Sequence, residues 1–113
     1  MKLQEKQSIF AKNVGLLLQR IFESPYTCTF GDAFRSPEQA ALNAKKGIGI
    51  KDSLHCKRLA IDLNLFDHDG KYLTSGPAYE IFGEYWKSLH PLNRWGGDFK
   101  SIKDLNHFEM QDS

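Results

Sequence analysis

Leu59, Ile61, Leu63 and Leu65 alternate with Ala60, Asp62 and Asn64, a period of two that suits a β-strand with one buried face and does not suit a helix. The run enters a turn-forming string, Asp67-His68-Asp69-Gly70, and resumes through Lys71-Tyr72-Leu73. It is therefore expected to be the central strand of an antiparallel hairpin, with the remaining elements packed around it.

Those elements read as a small α+β domain. Phe10, Val14, Leu17, Leu18 and Ile21 recur at near-helical spacing within Gln7 to Phe22, and Ser24-Pro25 stops the pattern, which predicts a packing helix. Tyr26 to Phe30 is a short β-prone run. Ser36-Pro37-Glu38-Gln39 supplies an N-cap, a first-turn proline and a capping-box glutamine for a second helix ending at Gly47. Ala78, Phe82, Tyr85, Trp86 and Leu89 mark a third helix closed by His90-Pro91, with Gly83 as a weak point inside it. Arg94 to Phe99 reads as a glycine-bearing loop, and His107 to Met110 as a short terminal strand. The fold class expected is a short antiparallel sheet flanked by helices.

A chain of 113 residues accommodates one domain, not a catalytic domain plus a separate binding domain. Residues 1–113 are expected to form one unit, with 1–24 packing on a core of 30–110. The net charge is +1, so no basic field argues for nucleic acid. No long apolar run predicts membrane insertion, and the charged segment from Met1 to Glu23 lacks a signal-peptide core. Synthesis without export and a monomeric state are expected. Cys28 and Cys56 are too few for a disulfide framework and are expected as free thiols.

The polar residues carry the chemistry. His55, Asp62 and His107 provide two imidazoles and one carboxylate, a three-ligand zinc set that leaves a tetrahedral position for water, and Asp104 is a spare carboxylate able to take a proton. His55 lies seven residues before Asp62, an odd offset that would put it on the opposite face of a straight strand, so a bend must separate them. A terminal strand beside the central one, in a register that sets His107 on the Asp62 face, would bring both imidazoles to one carboxylate. Asp104, three residues before His107, fits one tight turn and can stand near the metal without binding it. Glu109 is expected either to accept from a ligand histidine or to form an ion pair with a lysine. Trp95, beside two glycines, either packs at a rim or stacks on substrate. His68 and His90, in a turn and at a helix end, are not nominated.

These residues carry a resemblance. Ser53-x-His55 followed by Asp62, with Asp104-x-x-His107 near the end, resembles the zinc D-alanyl-D-alanine carboxypeptidases, the VanX/VanY-type dipeptidases and the phage L-alanoyl-D-glutamate endopeptidases. The likeness spans about Phe30 to Met110, through Phe34-Arg35-Ser36-Pro37-Glu38-Gln39, His55 to Asn64, and Arg94-Trp95-Gly96-Gly97-Asp98-Phe99 leading to Glu109. Its last two blocks are most similar to the phage endolysin branch. The resemblance implies a hedgehog/D-Ala-D-Ala peptidase-like fold and Zn2+ held by His55, Asp62 and His107. It also implies Asp104 as general base, Arg35 at the oxyanion or a substrate carboxylate, and Ser53 and Trp95 as substrate contacts. The expected substrate is the peptidoglycan stem peptide, cut between L-Ala and D-Glu, by a protein reaching the wall after holin-type release or within a virion. The alternatives are a D,D-carboxypeptidase or dipeptidase acting on D-Ala-D-Ala, and a non-catalytic zinc-stabilised binding module. Arg58 stands where relatives often have a glycine, and Asp104 where many have a glutamate.

Overall fold

The computed structural model describes residues 1–46 and 53–112. Among them the chain forms helices α1 (Leu3–Phe22), α2 (Pro37–Lys45) and α3 (Pro77–Leu89) and strands β1 (Thr27–Phe30), β2 (Ala60–Phe66), β3 (Asn93–Trp95) and β4 (His107–Met110). Short 3-10 turns occupy Leu54–Lys57 and Gly96–Asp98. The sheet order is β1-β2-β4-β3, antiparallel at every step. β2 is thus central, and the α+β expectation is met.

The pleat of β2 sorts its residues. Ile61, Leu63 and Leu65 are buried, whereas Asp62, Asn64 and Phe66 are only partly covered. On the buried side lie Phe10, Leu17 and Ile21 of α1, Ala78, Tyr79, Phe82 and Trp86 of α3, and Phe108 and Met110 of β4. Removing this apolar surface from water is the main stabilising term. Trp86 ties the layers together: its ring meets Phe10 and Phe108 edge-on at 5.5 and 6.1 Å. Its indole N–H is shared between the carbonyls of Arg94 and Glu109, 3.0 Å from each, which joins β3 to β4 from beneath. Tyr79 does the same for the hairpin, donating its hydroxyl to Leu73 O at 2.6 Å and accepting from Leu65 N at 3.0 Å.

Local chemistry explains most element boundaries. α1 begins four residues earlier than apolar periodicity indicates, because Glu5 accepts the Lys2 backbone N–H at 3.2 Å and closes a polar first turn. Ser36 caps α2 through Gln39 N at 3.0 Å, but the expected return bond is absent: the Gln39 amide donates to Asn43 instead, at 2.6 Å. The expected stop at Gly47 lies outside the described residues. The hairpin beyond β2 is reduced to one bridge, Phe66 to Tyr72. Arg94 is not in a loop, since Asn93–Trp95 is an edge strand paired with β4. No helix among the described residues is long and apolar enough to cross a membrane.

Gly83 is explained by Trp95. A Cβ at position 83 would lie 2.2 Å from the indole ring, and a Cβ at Gly97 would also lie 2.2 Å from it. The ring is 6% exposed, with its N–H on Leu105 O at 2.7 Å. Gly83→Ala should therefore destabilise the fold by about 1–3 kcal/mol through overpacking, although alanine is the better helix former by about 1 kcal/mol. Urea unfolding measures this. A variant as stable as the parent would mean that the indole does not seat on α3.

Candidate metal centre

Asp62 and His107 are direct cross-strand partners, as the register argument required. Asp62 directs both its backbone groups away from β4: its N–H donates to Asp32 O and its carbonyl accepts from Gly31 N, each at 2.8 Å. Between β2 and β4 the flanking Leu63 N bonds to Asn106 O at 2.8 Å, so Asp62 and His107 form a non-hydrogen-bonded pair. Opposed side chains stand closest at such pairs, with Cα atoms about 4.5 Å apart. His107 Nδ1 lies 3.1 Å from Asp62 Oδ1.

His55 arrives over the sheet from a 3-10 turn. Ser53 caps that turn, its hydroxyl oxygen accepting from His55 N at 3.2 Å. Arg58 ends it at φ 56°, ψ 38°, a left-handed conformation that glycine adopts without penalty. The expected bend is here. Arg58 gains a stacking contact in return, its guanidinium 4.1 Å from the centroid of Phe34. His55 is 3% exposed; its Nε2 lies 3.5 Å from Asp62 Oδ1 and its ring 5.2 Å from that of His107. One donor atom from each of His55, Asp62 and His107 falls within a 4.8 Å span.

The partners behind the rings decide which nitrogens face that point. His55 Nδ1 is 3.4 Å from Ala33 O. A carbonyl only accepts, so Nδ1 carries hydrogen and Nε2 is left as the donor atom. His107 Nε2 is 2.7 Å from Glu109 Oε1, which leaves Nδ1 for the metal side. Glu109 is buried and pairs on its other oxygen with Arg94 of β3. Two nitrogens and a carboxylate oxygen, oriented by acceptors behind the rings, fit a borderline divalent ion such as zinc. Cys56 takes no part; its thiol is directed at Ser36 O, 3.9 Å away.

Asp104 stands outside this set. Its carboxylate is 52% exposed, with Oδ2 4.0 Å from His107 Nδ1. The tight turn is present: His107 N donates to Asp104 O at 3.1 Å, and Asp104 N donates to Gly96 O at 2.9 Å. A Cβ at Gly96 would fall 2.1 Å from Asp104 O, so only glycine lets this turn seat.

The other expected residues fall as follows. Arg35 is anchored beside the site, its N–H on His55 O at 3.3 Å, and its guanidinium pairs with Asp32. Ser53 is the cap described above, and among the described residues its hydroxyl hydrogen has no acceptor. Trp95 is a correction: with its faces against Gly83 and Gly97 and its N–H on Leu105, it is a core residue and offers no stacking surface. Asp32, Ala33 and Arg94 were not anticipated. Gly31 was the available signal for the first two, since a Cβ there would come within 3.0 Å of Asp62 Cβ.

The charges are strongly coupled. Burial opposes ionisation of Asp62, but hydrogen bonds from His107 and His55 overcome it and hold the carboxyl down at about 2. Burial likewise opposes charge on His107, yet Asp62 and Glu109 on its two nitrogens push its pKa up to about 9. Asp104 moves the other way, raised by burial and by the charge on Asp62. Glu109 is lowered despite its burial, by His107 and then Arg94.

The family model described as D-alanyl-D-alanine carboxypeptidase matches residues 47–110, a span that includes His55, Asp62, Asp104 and His107. The fold is similar to that in the crystal structure of the Serratia marcescens L-Ala D-Glu endopeptidase ChiX. The TM-score is 0.75 at 18% sequence identity, covering 90% of this chain and 77% of that chain.

The raised His107 pKa has a sign that can be checked. Without metal, the protonated ring stabilises the fold fully below its unfolded value near 6.5, and this contribution is lost as pH rises through about 9. Metal must displace that proton, so zinc binding at pH 7 should release about one proton from His107 and tighten about tenfold per pH unit toward pH 9. Calorimetric titration in buffers of different ionisation enthalpy measures the release. Proton-independent binding at pH 7 would mean that the free ring is neutral.

Proposed function

Because the chain belongs to the D-alanyl-D-alanine carboxypeptidase family, we propose that it is a zinc-dependent peptidoglycan peptidase that cuts the stem peptide between L-Ala and D-Glu. One observation carries this reading: a His-Asp-His set is accompanied by a fourth, half-exposed carboxylate, Asp104, that lies 4.0 Å from His107 Nδ1 without belonging to the set. A structural zinc site has no use for such a group, whereas a hydrolase needs a base beside an open coordination position. The fold shared with the Serratia L-Ala D-Glu endopeptidase favours that bond. The family description favours a second reading, cleavage of D-Ala-D-Ala.

Zinc held by His55, Asp62 and His107 would supply Lewis-acid polarisation of the amide carbonyl and bring the pKa of water toward about 7. Asp104 takes the proton of the water that attacks the carbonyl carbon, then delivers it to the nitrogen as the C–N bond breaks. Its raised pKa suits the second half of that exchange. Arg35, held beside His55, turns its guanidinium from Asp32 toward the oxyanion or a substrate carboxylate, and the Ser53 hydroxyl donates at the same edge. Glu109 keeps His107 in the tautomer that binds through Nδ1. Residues 1–113 act as one monomeric catalytic unit, with 1–24 packing on 30–110. The protein serves as a phage or prophage endolysin that reaches the wall after holin-type release or within a virion.

Digestion of purified sacculi, with the new termini identified by mass spectrometry, tests the bond. New D-Glu amino termini support the endopeptidase; released D-Ala alone supports the second reading. At equal zinc occupancy, Asp104→Asn should retain metal and lose about a hundred- to ten-thousandfold in turnover. His107→Ala should lose metal and activity together. Near-normal turnover in Asp104→Asn would refute the base, and loss of zinc there would make Asp104 a ligand.

A further inference from the structure

A cleft of about 330 Å³ opens beside the metal centre, lined by Tyr72, Thr74, Lys103, Asp104, Leu105 and Asn106. Two features place it next to the metal centre. Asp104 forms part of its wall. Asn106, next to His107, donates its amide to Asn64 at 3.0 Å, and Asn64 shares the Asp62 face of β2. Tyr79 also borders the cleft, but its hydroxyl is committed to Leu73 and Leu65.

The cleft contains one cation, Lys103. Four basic groups near the centre already have partners: Arg35 has Asp32, Arg94 has Glu109, Arg58 lies over Phe34, and Lys57 has Asp112. Among the described residues Lys103 is exposed and has no ion-pair partner. A lysine ammonium that lines a cleft one residue from the proton carrier is placed to meet an anionic group of whatever lies there.

Asp104 fixes what lies there. A group that protonates the departing nitrogen must come within hydrogen-bond reach of it, so the residue that departs sits against Asp104, on the cleft side. An α-carboxylate on that residue is two bonds from the departing nitrogen. We infer that Lys103 reads this carboxylate, making the cleft a specificity subsite for peptides whose residue after the scissile bond carries a free α-carboxyl group. D-Glu linked through its γ-carboxyl and a terminal D-Ala both meet this description. The inference rests on Asp104 as proton carrier and deepens the peptidase reading without depending on which of the two bonds is cut.

Two peptide pairs test it. One is L-Ala-γ-D-Glu-L-Lys with the glutamate α-carboxyl free or as its carboxamide; the other is a D-Ala-D-Ala peptide ending in carboxylate or carboxamide. The zinc-loaded protein should favour the free carboxylate in the pair it cleaves, by roughly three- to tenfold in kcat/KM and mainly through KM. Lys103→Gln should bring that ratio toward one, and Lys103→Arg should restore it. No preference in the parent, or a preference that survives Lys103→Gln, overturns the assignment. Binding of the same pairs to zinc-loaded Asp104→Asn, followed by NMR, reads the subsite without turnover. Tighter binding of the carboxylate that a further Lys103→Gln change abolishes supports the subsite even where the parent cleaves neither pair, a result that would count against the peptidase reading alone. Equal binding of both members overturns the subsite.

Discussion

Asp62 and His107 sit opposite one another where the β2–β4 ladder makes no hydrogen bond, and this pairing is the constraint on which the rest of the site depends. It lets two side chains 45 residues apart converge without a dedicated loop, because sheet geometry supplies the proximity. Both backbone groups of Asp62 are taken by Gly31 and Asp32, so β1 and its continuation hold the strand from the other edge. The same loop carries the Ala33 carbonyl that orients His55 and the Arg35 guanidinium. A segment from the first third of the chain therefore buttresses the Asp62 carboxylate and the His55 imidazole together.

The electrostatics follow from that packing. Two carboxylates, Asp62 and Glu109, clasp the His107 ring from its two nitrogens. That excess of negative charge favours a proton on the ring, which a divalent ion bound there would have to displace. Arg94, across β3, neutralises the outer carboxylate, so Glu109 can stay buried and ionised behind its histidine. Asp104 stands half-exposed 4.0 Å from His107, and burial together with the like charge of Asp62 raises its pKa despite the two imidazoles.

Much of this was legible in the sequence, for definite reasons. The two-residue alternation around Asp62 identified the central strand and the face of each residue, and the odd offset of His55 demanded the bend that Arg58 makes. Three features escaped. Asn93–Trp95 is too short to display a period and lies between Pro91 and Gly96, so it read as loop. The burial of Trp95 depends on Gly83, which is remote in sequence, and no local pattern records that the indole fills the space both glycines leave. The Asp32 partner of Arg35 and the Arg94 partner of Glu109 are set along a loop and across the sheet, so these contacts were not visible, whereas the contact of Glu109 with a site histidine was among the readings of the sequence.

The alternation along β2 has a further consequence for fidelity. Apolar and polar positions are interleaved residue by residue, so sliding β2 against β4 by one step would carry Asp62 into the core and Ile61, Leu63 and Leu65 into water. Exposing each large aliphatic side chain would cost about 1.5–3 kcal/mol, far more than the site's own contacts need to supply. The core would thereby act as a ruler for an ion held by these residues. The spacing of Asp62 and His107 on the outer face is inherited from packing on the opposite one.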